Sequence, residues 1–520
     1  MIGLQSRNPE ADSAGNELLW GVATSAYQSE GGYNGENQPQ TNWARAEKEK
    51  EVASLGNAAE FWTRYPEDFA LCQKMGLSAF RLGLEWSRVQ PSLSNETTEP
   101  PSFDIAALDH YAEMLIECRR NGLEPIVTLH HFVHPAWLGD DPWLEPSSVD
   151  HFTHYVQTAV RHVNDKLISR GYPAVRYYIT INEPNMLLFN TYFGGQFPST
   201  AQRGFKTAVK ACCQLLRAHI NAYNGIHDIY ESQGWERPMV SLNNYCSDLY
   251  WADKLLLDLL ALRERHVPLD DANNYINNKR NDFEAALEVA NIPLRKNLSY
   301  WFGTLCKKLT DRFCRTFFDI EGFKPFTESL LHSPREKVFD YIAFDYYDPF
   351  SAHIFRPPVW WDHELKNKSI NSWLMNTVSS KWWDWRVLPQ GLHFFCQYYS
   401  SEFQGRPILI AENGMALRRR IDNKTSHRRD RITRSQFLEL HFCEVIKILE
   451  ERIPLIGYLH WSLFDNYEWG TYTPRFGLYT LDYQHGAERI AVDHLGDCPS
   501  ETYANLIKLF KLRSAYAHRT

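Results

Sequence analysis

Short apolar runs rich in Val, Ile, Leu and aromatic residues alternate along the chain with longer amphipathic stretches. Continuously apolar strands separated by helices indicate a parallel sheet that is covered on its outer face. Eight such runs are present: Leu18–Ser25, Ala79–Trp86, Glu124–Phe132, Val175–Pro184, Pro238–Tyr245, Asp340–Tyr347, Pro407–Gly414 and Ile456–Asp465. The segments between them predict helices over Tyr65–Met75, Ile105–Asn121, Val149–Ser169, Phe205–Ser232 and Ser435–Arg452. Asn121–Gly122 is a helix stop signal.

This order predicts an α/β protein, a single (β/α)8 TIM barrel with insertions over the C-terminal rim. The whole chain, residues 1–520, is expected to be one domain. Such barrels tolerate long insertions within one domain. The least regular stretch, residues 249–334, reads as an insertion over the rim with helical segments at Trp251–Arg265 and Asn281–Ala290. It either shapes a substrate entrance or decorates the fold.

Every run begins apolar and ends in polar or aromatic groups. Gln28 lies just past the first, followed by Glu85–Trp86, His130–His131, Asn182–Glu183, Asn243–Asn244, Tyr346–Tyr347, Glu412–Asn413 and Trp461. In a closed parallel barrel these endings converge on the rim that carries the chemistry. Glu183 and Glu412 stand out because each ends a strongly apolar run and is therefore partly desolvated. Strands four and seven face each other across the rim. Glycoside hydrolysis uses such a pair, one to protonate the leaving oxygen and one to attack or to activate water.

Composition changes the picture little. The net charge of −8, from 55 basic and 63 acidic residues, argues against nucleic acid or an anionic surface as the main partner. The aromatic residues suit both sugar faces and a core. Arg418–Arg420, with His427, Arg428, Arg429 and Arg431, form a basic cluster expected on a solvated loop. The 10 Cys contain no C-x-x-C pair and are expected to be reduced and largely buried, as in a cytoplasmic protein. The N-terminal segment lacks the pattern of a secretory signal, and no apolar run is long enough to span a membrane. No metal or organic cofactor is expected.

TINEPN around Glu183, together with IAENGM around Glu412, resembles the paired signatures of glycoside hydrolase family 1, the β-glucosidase and β-galactosidase family. WGVATSAYQSEGG, FRLGLEWSRVQP, TLHHFVHPAWL, FDYYD and HWSLFDNYEWGTYTPRFGLYTLDY are similar to further motifs of that family, in its order. The resemblance implies a retaining β-glycosidase acting on terminal non-reducing β-D-glycosyl residues of a small glycoside or oligosaccharide. Glu412 would be the nucleophile that forms a covalent glycosyl-enzyme, and Glu183 the general acid/base. Their separation is expected at about 5–5.5 Å. The raised pKa of the acid is expected to come mainly from the charge of Glu412.

By the same resemblance, Arg81 and Tyr347 would support Glu412, and Asn182 would bind the sugar 2-hydroxyl. Gln28, His131, Trp461, Glu468, Trp469 and Phe476 would hold the sugar. A carboxylate at Glu468 speaks against a 6-phosphosugar. Trp461–Ser462 is expected to be a cis peptide. Phe132 and Asp345 depart from the family pattern, which usually has Trp and Asn there. The same residues serve a transglycosidase. An inactive sugar-binding barrel, the alternative of another class, is expected to lack one of the two carboxylates.

Overall fold

The computed structural model describes residues 18–92, 100–355, 382–420, 422–483 and 486–517. The expectation about the N-terminal leader therefore lies mostly outside the described residues.

Eight parallel strands close into a barrel in sequence order. They are β1 (Leu19–Ala23), β2 (Ala79–Gly83), β3 (Glu124–Thr128), β4 (Tyr177–Asn182), β5 (Met239–Tyr245), β6 (Ile342–Tyr346), β7 (Ile408–Asn413) and β8 (Leu455–Trp461). Each lies within or close to the run predicted for it, and β1 closes on β8 with Ala23 opposite Trp461. The strands are short because their C-terminal residues leave the ladder to form the rim.

The strands are buried on both faces. Inside, Ala79, Ile126, Ile179, Ala343, Leu409, Ala411 and Leu459 fill the barrel. Outside, Phe80, Leu82, Val127, Tyr178, Val240, Phe344 and Ile410 join the main core beneath the helices. That double burial explains why the strands read as continuous apolar runs rather than alternating ones.

The α-helices of seven residues or more among the described residues are α1 (Phe61–Lys74), α2 (Ile105–Arg120), α3 (Ser147–Ser169), α4 (Phe205–Gln233), α5 (Lys254–Leu260), α6 (Ala272–Val289), α7 (Leu298–Phe317), α8 (Lys324–Leu331), α9 (Pro389–Glu402), α10 (Arg434–Glu450) and α11 (Pro499–Ala517). Local chemistry sets their ends. Asp104 caps α2 by accepting from the Ala107 N–H, and Thr433 with Gln436 forms a capping box on α10.

Residues 249–334 hold α5–α8. The predicted helix Trp251–Arg265 is shorter, running only from Lys254 to Leu260, and α6 starts at Ala272, well before Asn281. No helix among the described residues is long and apolar enough to cross a membrane.

Three irregularities of register sit at the rim. They fall between Phe344 and Asp345 on β6, between Ile179 and Asn182 on β4, and between Tyr458 and His460 on β8. Such irregularities re-aim side chains, and here they lie next to the clustered carboxylates.

Candidate active site

Glu183 leaves β4 in a left-handed conformation, φ 38° and ψ 60°. Its N–H donates to the Asn243 carbonyl at 2.8 Å, and its carbonyl accepts from Leu187 N–H at 3.0 Å. Pro184 supplies the fixed φ that starts the short helix Pro184–Leu188. The resulting elbow places the Glu183 side chain over the barrel mouth, where it lines the cavity together with Glu412.

One carboxylate oxygen from each of Glu183, Asp345 and Glu412 lies within 4.8 Å of the other two. The cation bonded to this cluster is Arg81. Its Nη1 donates to Glu412 Oε1 at 2.8 Å, its Nη2 to Asn182 Oδ1 at 2.5 Å and its Nε to Thr128 Oγ1 at 2.9 Å. Asp345 Oδ1 lies farther from that guanidinium, 3.8 Å from Nη1, while Asp345 Oδ2 accepts from the Asn243 amide. Tyr347 donates its hydroxyl to Glu412 Oε2 at 2.7 Å.

These surroundings separate the carboxyls. Burial first, and the charge of Glu412 second, push Glu183 well above the usual carboxylate range. Burial, then Glu412 and Glu183, do the same to Asp345. Burial also raises Glu412, but there Arg81 and the Tyr347 hydroxyl pull the other way. Of the three, Glu412 is the carboxyl whose burial is offset by direct donors, while Glu183 and Asp345 are both pushed toward the protonated form. The ranking differs from the sequence expectation: removal from water outweighs the neighbouring charge at Glu183, because the residue sits 7% exposed between apolar walls.

The cavity has a volume of about 570 Å³, and its inner wall includes His131, Asn182, Glu183, Tyr347, Glu412, Trp461, Glu468, Trp469 and Phe476. Arg81 and Gln28 are fully buried one layer behind. Gln28 Nε2 donates to Glu468 Oε2 at 3.1 Å, and Trp461 Nε1 to Glu468 Oε1 at 3.0 Å. Burial pushes Glu468 up to about 8, helped by the charge of Glu412 and opposed by these two hydrogen bonds. The His131 ring lies parallel to Trp461 at 5.8 Å and to Trp469 at 5.6 Å. Burial and the Arg81 charge hold it neutral. Trp461–Ser462 is a cis peptide.

The two departures are structurally accommodated. Phe132 adopts φ 67° and packs its ring against Trp469 at 4.7 Å. Asp345 joins the carboxylate cluster as an extra buried charge at the rim, the consequence its departure from the pattern implied, with Arg81 as its basic neighbour. Asn243, which donates to it, is a site residue that sequence reasoning gave no role. The strand-end pair Asn243–Asn244 was the available signal.

The 249–334 insertion, read from the sequence as either a substrate entrance or a decoration, contributes Trp251, Phe313 and Phe318 to an outer wall whose individual residues the sequence did not single out. Phe189, Phe193, Trp251, Phe313, Phe318, Trp382 and Trp385 make the cavity largely apolar beyond the carboxylates. No lysine or arginine lines it among the described residues. The basic cluster proves partly internal. Arg428 is buried and donates to the carbonyls of Trp383 and Trp385, which fixes this aromatic wall.

The family model for Glycosyl hydrolase family 1 matches residues 11–252 and 281–494. The interruption falls inside the insertion and is shorter than it. Beta-glucosidase A of Thermotoga maritima is 25% identical over 501 residues, covering 94% of this chain and 97% of that protein. The 6-phospho-beta-galactosidase of Clostridium acetobutylicum is 24% identical over 487 residues, covering 90% and 93%. A solved structure of beta-glucosidase from Thermotoga maritima in complex with galacto-hydroximolactam matches with a TM-score of 0.63 at 21% identity, covering 94% and 97% of the two chains.

Proposed function

The chain belongs to glycosyl hydrolase family 1 and is a β-glycosidase, and from that premise we propose that it hydrolyses unphosphorylated terminal β-glycosyl residues with retention. The observation that carries this reading is the unequal pair Glu183 and Glu412, with oxygens within 4.8 Å. A spacing of about 5–5.5 Å suits direct attack by one carboxylate, whereas inversion needs about 6.5–9.5 Å to seat a water between them.

Glu412, charged and oriented by Arg81 and Tyr347, attacks the anomeric carbon. Glu183, holding its proton, gives it to the departing oxygen. Formation of the glycosyl ester removes the negative charge of Glu412. That relieves one cause of the raised Glu183 pKa, so Glu183 then takes the proton of the incoming water. Asn182, whose side-chain oxygen is held by Arg81, binds the 2-hydroxyl in this reading. His131, Trp461, Glu468, Trp469 and Phe476 form the sugar wall, with Gln28 orienting Glu468 from behind.

A phosphorylated sugar is disfavoured. The cavity offers no lysine or arginine to a phosphate among the described residues. The apolar outer wall favours a hydrophobic aglycone. We read the chain as one barrel domain with the 249–334 segment over its rim. The free cysteines support a reducing compartment.

The deciding experiment is labelling with a 2-deoxy-2-fluoro β-glycoside followed by peptide mapping. The expected label is on Glu412; a label on Glu183 or Asp345 refutes the assignment. Glu183→Ala should slow glycosides with poor leaving groups far more than activated aryl glycosides, and equal losses on both refute its role as acid. Parallel assays of a nitrophenyl β-glucoside and its 6-phosphate test the specificity.

A further inference from the structure

Helix α7 turns an apolar face to solvent. Leu298, Trp301, Leu305, Leu309, Phe313 and Phe317 are 75, 61, 55, 59, 47 and 58% exposed. Their spacing of three and four residues puts them on one side of the helix. Single exposed apolar residues need no explanation, but a stripe along a whole helix does.

The opposite side is pinned to the protein. A Cβ on Gly303 would lie 2.2 Å from the Ser351 carbonyl oxygen, so the helix approaches the turn Ser351–Ile354 at backbone distance. Asp311 accepts from Arg280 Nη2 at 2.5 Å and from Trp251 Nε1 at 2.9 Å. Lys307 pairs with Glu284 at 3.1 Å. The outward face is thus fixed in place.

Two further observations say what covers it. First, the exposed charge is positive in balance, with Asp319 and Glu321 just past the helix as the exposed acidic residues beside it. Lys308, Arg312 and Arg315 on the helix, and Arg295 and Lys296 just before it, are exposed. The one acidic residue of the helix, Asp311, is taken by Arg280. This occurs on a chain whose net charge is −8. Second, the stripe continues into the active-site cavity. Phe313 belongs to both, and Thr310 and Cys314 line the cavity beside it. Phe313 also meets Phe205, another wall residue, at 5.9 Å. Phe193, 39% exposed, is likewise a cavity residue. A symmetric contact with a second copy would set the basic edge against itself. An anionic lipid surface satisfies both the apolar stripe and its basic margin.

We propose that this face of α7 seats in the headgroup–acyl boundary of an anionic bilayer, with the cavity mouth opening onto the membrane to take β-glycosides whose lipid aglycone is embedded there. The docking stands on the surface alone; the substrate half rests on the glycosidase reading above.

The test uses the full chain in vesicle flotation, with phosphatidylcholine vesicles with and without phosphatidylserine. The wild type is expected to float with the anionic vesicles. The triple variant Trp301→Ser, Leu305→Ser, Leu309→Ser should bind about a hundredfold more weakly. The variant Lys308→Glu, Arg312→Glu, Arg315→Glu should lose the preference for phosphatidylserine. None of these residues lines the cavity, so both variants should hydrolyse a soluble nitrophenyl β-glycoside as the wild type does. Both should lose activity on a glucosyl lipid held in the vesicles. A wild type that binds neither vesicle overturns the proposal. So does a wild-type dimer in sedimentation that the triple variant makes monomeric, which would assign the face to a second copy. Vesicle binding that obeys both variants, in a protein that turns over no glycoside, supports the docking and refutes the glycosidase reading.

Discussion

Arg81 is the guanidinium that faces the clustered carboxyls of Glu183, Asp345 and Glu412, and it bonds directly to Glu412 alone. The ionisation of Glu412 therefore leans on Arg81 and on the Tyr347 hydroxyl. Tyr347→Phe should lower kcat/KM about ten- to a hundredfold, the cost of one hydrogen bond to a charged group. It should also move the acidic limb of the pH profile upward, because a hydrogen bond that favours the carboxylate is lost. A profile with an unmoved acidic limb would separate Tyr347 from the ionisation of Glu412. Glu468 gives a stability prediction. Its folded pKa of about 8 stands above the ordinary 4.5, so the folded protein holds this proton more tightly than the unfolded chain. Stability from this group is full below 4.5 and is lost as pH rises to about 8. Glu468→Gln should flatten that loss, so the Tm of the variant relative to wild type should rise with pH across this window; a constant offset would count against it. Glu183 and Glu412 were legible in the sequence because each ends an apolar run. The cause of Glu183's raised pKa was not, because desolvation depends on walls contributed by residues far away in the chain. Asp345 was legible only as a departure, since its effect comes from β6 and β7 placing it directly opposite Glu412.

At the scale of elements, the barrel strands were readable because two-sided burial demands continuous apolar runs, while their ends were overestimated where polar rim residues follow. Helix α2 was readable from its stop signal and its buried face, Leu108, Tyr111, Ala112 and Leu115. Helix α7 escaped the reading. Its apolar stripe faces solvent, and its inner face is held by Gly303, Lys307 and Asp311 rather than by large apolar groups, so periodicity alone did not tell which side packs. That arrangement predicts a sensitivity at Gly303. Gly303→Ala would drive a methyl to 2.2 Å from the Ser351 oxygen and should cost about 1–3 kcal/mol of local stability. Hydrogen exchange should quicken in residues 298–317 and 351–355, while the barrel strands keep their protection. Unchanged exchange in both segments would mean that the helix does not approach the turn as closely as described.

For the molecule as a whole, the barrel brings the ends of eight strands to one mouth, and the insertion and the turn at Trp382–Trp385 raise an apolar wall above it. The sequence showed the mouth but not the residues of the wall, since the lining residues Phe189, Trp251, Phe313 and Trp385 come from four separate segments with no shared motif. That wall sets how the enzyme should respond to the leaving group. A cavity of about 570 Å³, fixed from behind by Arg428 and by the packed face of α7, removes an alkyl chain from water one methylene at a time. Each buried methylene is worth about 0.8 kcal/mol, or roughly a three- to fourfold gain. Along a series of n-alkyl β-glucosides, assayed as monomers in solution, kcat/KM should climb by about that factor per methylene and then level off when the chain outgrows the cavity. Phe318→Ser, on the wall but away from the carboxylates, should shorten the climb and leave the methyl glucoside unchanged. A flat series in the wild type would show that the apolar wall does not hold the aglycone, whatever the sugar subsite does.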